Sequence, residues 1–99
     1  MLYAIVADDV EHSLEKRKAA RPAHMQRMQQ LIADGRVVLA GPMPAIDSPD
    51  PGPSGFSGSL IVAEFESLEA AREWIEADPY VTEGIFARVS VKPFLQVLP

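Results

Sequence analysis

Apolar residues fall into four short runs along the chain, and two of the stretches between them carry a helical spacing. Leu2 to Ala7 (LYAIVA) is rich in strand formers and ends at Asp8-Asp9, which predicts a first strand. Ser13 opens a helical pattern with Glu15 in its first turn. Asp34-Gly35 closes it, because glycine readily takes the left-handed conformation that ends helices. Pro22 falls inside this stretch and predicts a bend near Arg21 within one helical region. Arg36 to Ala40 (RVVLA) predicts a second strand and Ser59 to Phe65 a third. Ser67 is placed to cap a helix from Leu68 to Ala77, and Pro79 can open a further helical turn through Gly84. Ile85 to Val91 predicts the fourth strand, with Pro93 releasing the tail from the sheet edge. Between the second and third strands, Gly41 to Gly58 holds five of the nine prolines and four of the six glycines. That composition predicts one long connection.

The order β-α-β-β-α-β is that of the ferredoxin-like split βαβ fold, an α+β class with a four-stranded antiparallel sheet and helices on one face. The opposite face of such a sheet is normally wet and polar. These strands disagree. Leu2, Ala4 and Val6 point one way while Tyr3, Ile5 and Ala7 point the other, and Leu60 and Val62 oppose Ile61, Ala63 and Phe65. Val37 to Ala40 is apolar on both sides. The second face therefore calls for a cover that the chain does not contain. The expected cover is a second copy, packed sheet against sheet as a homodimer with the outline of a dimeric α+β barrel.

Composition narrows the function classes. Ninety-nine residues with 47% hydrophobic and 23% charged side chains fit one soluble globular domain spanning 1–99. The absence of cysteine excludes disulfides, thiolate zinc sites, iron–sulfur clusters and cysteine nucleophiles, and fits a reducing, cytoplasmic setting. A net charge of −5 disfavours nucleic acid as a partner. The charge is uneven: residues 1–36 carry +1 and residues 37–99 carry −6, so an anionic ligand belongs with the first half. No apolar run is long enough for a membrane span, and the start lacks the basic and apolar regions of a signal peptide.

The candidate chemistry starts at His24. At 100° per residue it lies within the arc of Met25, Met28, Leu31 and Ile32, facing inward. Arg17 and Arg21 fall on the same side, so the three make a basic row beside an apolar stripe. Such a row costs free energy unless it borders a cavity with an anion or carboxylates. The competing reading is a satisfied core or interface histidine, with arginines that lie flat or pair with neighbouring acids. Asp78 continues the apolar face of Leu68, Ala71 and Ile75, yet Asp before Pro is also a standard helix cap. The segment GPSGFSGS lacks a P-loop lysine and a GxGxxG pattern, and no metal-ligand spacing is present. Neither a cofactor nor a metal is expected.

Four stretches carry a resemblance: SLEKRKAARPAHMQRMQQL at 13–31, AGPMPAID at 40–47, GFSGSLIVAEFESLEAAREW at 55–74 and ADPYVTEGIFARVSVKPF at 77–94. In their order and spacing the chain resembles the YciI (YCII-related) family. The resemblance implies a dimerising ferredoxin-like domain, similar to muconolactone isomerase-like and antibiotic-monooxygenase-like dimeric barrels. It also implies a site centred on a histidine and an aspartate, here His24 and Asp78. Some relatives look like dehydrochlorinases or isomerases of small ring-cleavage metabolites. The expected function is a small-molecule enzyme that moves protons. His24 and Asp78 would be catalytic, and Arg17 and Arg21 would hold a small carboxylate-bearing substrate. The alternatives are a non-catalytic module that binds the same small anion, and a purely structural dimer in which His24 and Asp78 form a buried pair.

Overall fold

A computed structural model describes all 99 residues. The elements are β1 (Leu2–Asp9), α1 (Leu14–Ala33), β2 (Val37–Pro44), β3 (Phe56–Glu64), α2 (Leu68–Glu76), α3 (Pro79–Thr82) and β4 (Phe86–Phe94), with a single 3-10 turn at Gly52–Ser54. The four strands form one antiparallel sheet in the order β2-β3-β1-β4. This is the expected α+β, ferredoxin-like arrangement.

Register decides which side chains face the helices. Tyr3 pairs with Ala63, Ile5 with Ile61 and with Val91, and Ala7 with Ser59. Tyr3, Ile5, Ala7, Ile61 and Ala63 join Met28 and Leu31 of α1, Ala71 and Ile75 of α2 and Tyr80 of α3 in one buried core. Ile5 and Ile75 are each 1% exposed, and burying a side chain of that size contributes about 1.5–3 kcal/mol. The outer face carries Ala4 opposite Val62 and Val6 opposite Leu60. Val6, Leu39 and Phe94 stay 39–49% exposed there in the single chain.

One helical region is found, as expected: α1 runs for 20 residues with Pro22 inside it. It ends as foreseen: Gly35 has φ of 70°, and the Arg36 N–H donates to the Leu31 carbonyl. Two other details depart from the reading of the sequence. First, the Gly41–Gly58 segment is not one loop. β2 extends to Pro44 and β3 starts at Phe56, which leaves residues 45–55 as the connection. Proline is tolerated here because β2 is an edge strand, where an N–H facing away from the sheet has no partner to lose. Second, Pro93 does not release the tail. β4 is the other edge strand, and it continues past Pro93, which pairs with Tyr3, to Phe94.

Candidate active site

The site lies where α1 passes over the C-terminal end of α2. α2 stops at Glu76, and Ala77 and Asp78 turn the chain into α3. Asp78 has extended backbone angles, and its Oδ1 accepts the Tyr80 N–H at 2.9 Å, the expected N-cap. The same Oδ1 lies 2.9 Å from His24 Nδ1, almost three turns into α1, so one oxygen serves the cap and the histidine together. The other oxygen, Oδ2, accepts from Arg27 Nη1 at 2.8 Å. Arg27 also donates to the Trp74 carbonyl at 2.8 Å and lies 4.5 Å over the Trp74 ring.

Asp78 is fully buried. Burial alone pushes its carboxyl pKa up. The His24 hydrogen bond, the Tyr80 N–H, the charge of His24 and the Arg27 hydrogen bond outweigh that, and the pKa lies below the ordinary 3.8. Asp78 is therefore a carboxylate at neutral pH and can only accept hydrogen bonds. It follows that Nδ1 of His24 carries a proton, and the lone pair of the neutral ring sits on Nε2. Nε2 makes no hydrogen bond within the chain and remains accessible to solvent. The imidazole lies flat on Tyr80, with ring centroids 4.0 Å apart and planes 9° from parallel. Burial raises the Tyr80 pKa above 10.0 against the opposing charges of Arg17 and Arg21, so the phenol keeps its proton.

His24 and Tyr80 line a cavity of about 220 Å³ between α1 and the β2–β3 side of the sheet. Its apolar walls include Met28, Pro42 and Ile61, and its polar groups are Arg17, Arg21, His24, Ser59 and Tyr80. Arg17 and Arg21 reach this cavity in different ways. Arg17 is buried and clamped: Nε and Nη2 contact the two oxygens of Asp9 at 2.6 and 2.9 Å. Nη2 also donates to the Gly58 carbonyl and to Ser59 Oγ. Only Nη1 is left without a partner in the chain, and it is open to solvent. Arg21 makes no ion pair and is exposed at the cavity wall. Of the apolar stripe on α1, Met28 and Leu31 are buried, whereas Ile32 is 49% exposed at the cavity.

Arg27, Tyr80 and Asp9 were not singled out from the sequence. Arg27 was within reach of the same helical argument, since it lies three residues after His24 and shares its face. Tyr80 follows Asp78 by two, but nothing in its spacing reveals that its ring stacks on α1. Asp9 reads as a strand end, and its partnership with Arg17 depends on the turn into α1, where His12 takes a φ of 56°. No cluster of three or more His, Asp or Glu side chains is arranged to hold a metal ion, and no helix is long and apolar enough to cross a membrane.

Residues 1–95 match the YCII-related domain family. The chain is 60% identical over 97 residues to protein YciI of Escherichia coli, covering 98% of this chain and 99% of that protein. It is 30% identical to fusaric acid biosynthesis protein 2 of Gibberella moniliformis, covering 93% of this chain and 90% of that one. Among solved structures, it is similar to 5-chloro-2-hydroxyhydroquinone dehydrochlorinase of Burkholderia phenoliruptrix in complex with 2,5-dihydroxybenzoquinone. The TM-score is 0.84 and the identity 26%, over 96% of this chain and 94% of that one.

Proposed function

The chain belongs to the YCII-related family, and we propose that it is a small-molecule enzyme in which His24 and Asp78 move a proton next to a carbonyl. The reaction is an isomerisation or an elimination of the dehydrochlorinase kind on a small carboxylate-bearing substrate. The observation that carries this reading is the 2.9 Å contact between His24 Nδ1 and Asp78 Oδ1, with Nε2 left unpartnered in a side chain that lines the cavity. An imidazole whose Nδ1–H donates in this way offers its Nε2 lone pair as a base. Nε2 takes the proton, and Asp78 holds the ring in place through Nδ1–H. The freed electron pair forms the new double bond. In an elimination the leaving group departs as an anion; in an isomerisation the imidazolium returns the proton at another carbon. Arg17 Nη1 and Arg21 hold the carboxylate or another anionic oxygen of the substrate. The likeness to a dehydrochlorinase bound to a dihydroxybenzoquinone supports a small, oxygen-rich substrate of this kind.

The test uses 5-chloro-2-hydroxyhydroquinone for chloride release, and 2,5-dihydroxybenzoquinone with a panel of small carboxylic acids for thermal shift. At least one compound is expected to raise the melting temperature. Where turnover is found, His24→Ala is expected to lower it by about a hundredfold or more. Binding without turnover of any compound identifies the non-catalytic ligand-binding module instead. A site that binds none of them ends both readings.

We further propose a homodimer through the outer sheet face. Val6, Leu39 and Phe94 expose an apolar surface that a second copy matches by symmetry. Light scattering is expected to give twice the 10.8 kDa of one chain, and a single-chain mass sinks the dimer.

A further inference from the structure

Asp78 has two basic partners, and only one of them faces the cavity. We propose that Arg27 is a positioning residue that keeps the His24 ring neutral and its Nε2 lone pair available, by taking the second oxygen of Asp78 and matching its charge. The inference rests on the reading of His24 as the proton-moving group.

A buried carboxylate with one basic neighbour draws a proton onto that neighbour, because the charged pair is far better placed than a lone anion. With histidine as the sole partner, the imidazolium would be held and its affinity for the proton raised. Arg27 changes the balance. Its Nη1 sits 2.8 Å from Oδ2, and its side chain is 25% exposed against complete burial of Asp78. A guanidinium cannot give up its proton in this range, so the Asp78–Arg27 pair is neutral as a unit. What His24 then receives from Oδ1 is orientation with little net negative charge. The protein thereby keeps Nε2 free to accept a proton, while Asp78 stays ionised and fixes the tautomer.

Geometry makes Arg27 suited to this. It cannot swing toward the cavity, because Nη2 is tied to the Trp74 carbonyl and the guanidinium lies over the Trp74 ring. α2 thus holds Arg27 from behind, while α1 presents His24 in front. The other charged or titratable groups around His24 are Arg21 on its own helix, Arg17 with its partner Asp9 of β1, and Tyr80 of α3. The residues that β2 and β3 contribute to the cavity (Ala40, Gly41, Pro42, Ser59 and Ile61) carry no ionisable side chain in the neutral range. The permanent positive charge paired with Asp78 is therefore Arg27.

The experiment is an NMR titration of the imidazole C–H signals in the ligand-free protein. His12, exposed on the β1–α1 turn, serves as the internal reference, and His12→Asn assigns the two signals. Arg27→Gln is expected to raise the pH midpoint of His24 by about one unit, the lower end of what a close charge does, and to leave His12 unmoved. Arg27→Lys keeps the charge and is expected to return the midpoint to within a few tenths of a unit of the original. An unchanged His24 midpoint in folded Arg27→Gln overturns the proposal and leaves Arg27 a structural tie to Trp74. If Arg27→Gln does not fold, citrulline at position 27, introduced by chemical synthesis, has the same shape without the charge and gives the same two outcomes. Because no ligand is present, the titration stands or falls separately from any turnover assay. A shifted midpoint with no ligand and no turnover would sink the enzyme while sparing the tuning.

Discussion

Asp9 and Asp78 are both buried carboxylates that hold a basic side chain of α1, yet the two clusters end in different states. At Asp9 nearly every bond is internal. Its oxygens accept from Arg17 and from the Ser13 hydroxyl, and Arg17 passes on to the Gly58 carbonyl and Ser59. The result joins β1, α1 and β3. At Asp78 one partner is Arg27 and the other is a ring with two nitrogens, one bonded to the carboxylate and one without a partner, in a side chain that lines the cavity. What separates a fastening from a site is whether the partner keeps a reactive atom to spare. Both clusters bury charge, so burial and ion pairing alone do not distinguish them.

The contrast can be broken most sharply at Asp9. Asp9→Ala leaves Arg17 without its counter-ion inside the protein and is expected to cost about 3–5 kcal/mol in urea unfolding. Asp9→Ala with Arg17→Met removes the stranded charge and is expected to recover most of that loss. A single variant as stable as the original would show that Asp9 is not a fastening. His24→Ala comes next. Its large effect is on turnover, whereas its unfolding free energy is expected to drop by only about 1–2 kcal/mol, from one hydrogen bond and one stacked ring. Asp78 keeps Arg27 and the Tyr80 N–H in that variant. A loss as large as that of Asp9→Ala would make His24 a fastening too.

The smallest effect is a slope. The Asp78 carboxyl pKa is lowered in the folded protein, so the stability it brings is fully present above its ordinary value of 3.8. That stability is lost as pH falls through the lower folded value. Below pH 3.8 the original protein is expected to lose unfolding free energy more steeply than Asp78→Asn, which can still cap α3. Parallel slopes would mean that Asp78 brings no charge-dependent stability.

Much of this arrangement was legible in the sequence, for reasons that differ by region. The four strands show in short apolar runs whose alternate residues meet across the sheet, as Ile5 does with Ile61. Gly35 marked the end of α1 because a left-handed residue is needed there. The prolines misled. Pro42 and Pro44 signal a loop in any local reading, and only the position of β2 at the sheet edge lets them sit in a strand. Helical spacing put His24, Arg17 and Arg21 on one side of α1. It could not say that Arg17 would be occupied by Asp9, because that contact crosses a turn whose geometry no periodicity encodes. Asp78 read equally well as a cap or as a site residue, and its single Oδ1 makes both contacts.

The prolines at the two sheet borders have a wider consequence. Pro42 and Pro44 on one side and Pro93 on the other lack the N–H that an incoming strand would need. Chains of this kind are poorly suited to add side by side into an open-ended ribbon, even when crowded or partly unfolded. The residues that make the middle of the sequence look formless thus also make that sheet edge a poor template for a further strand.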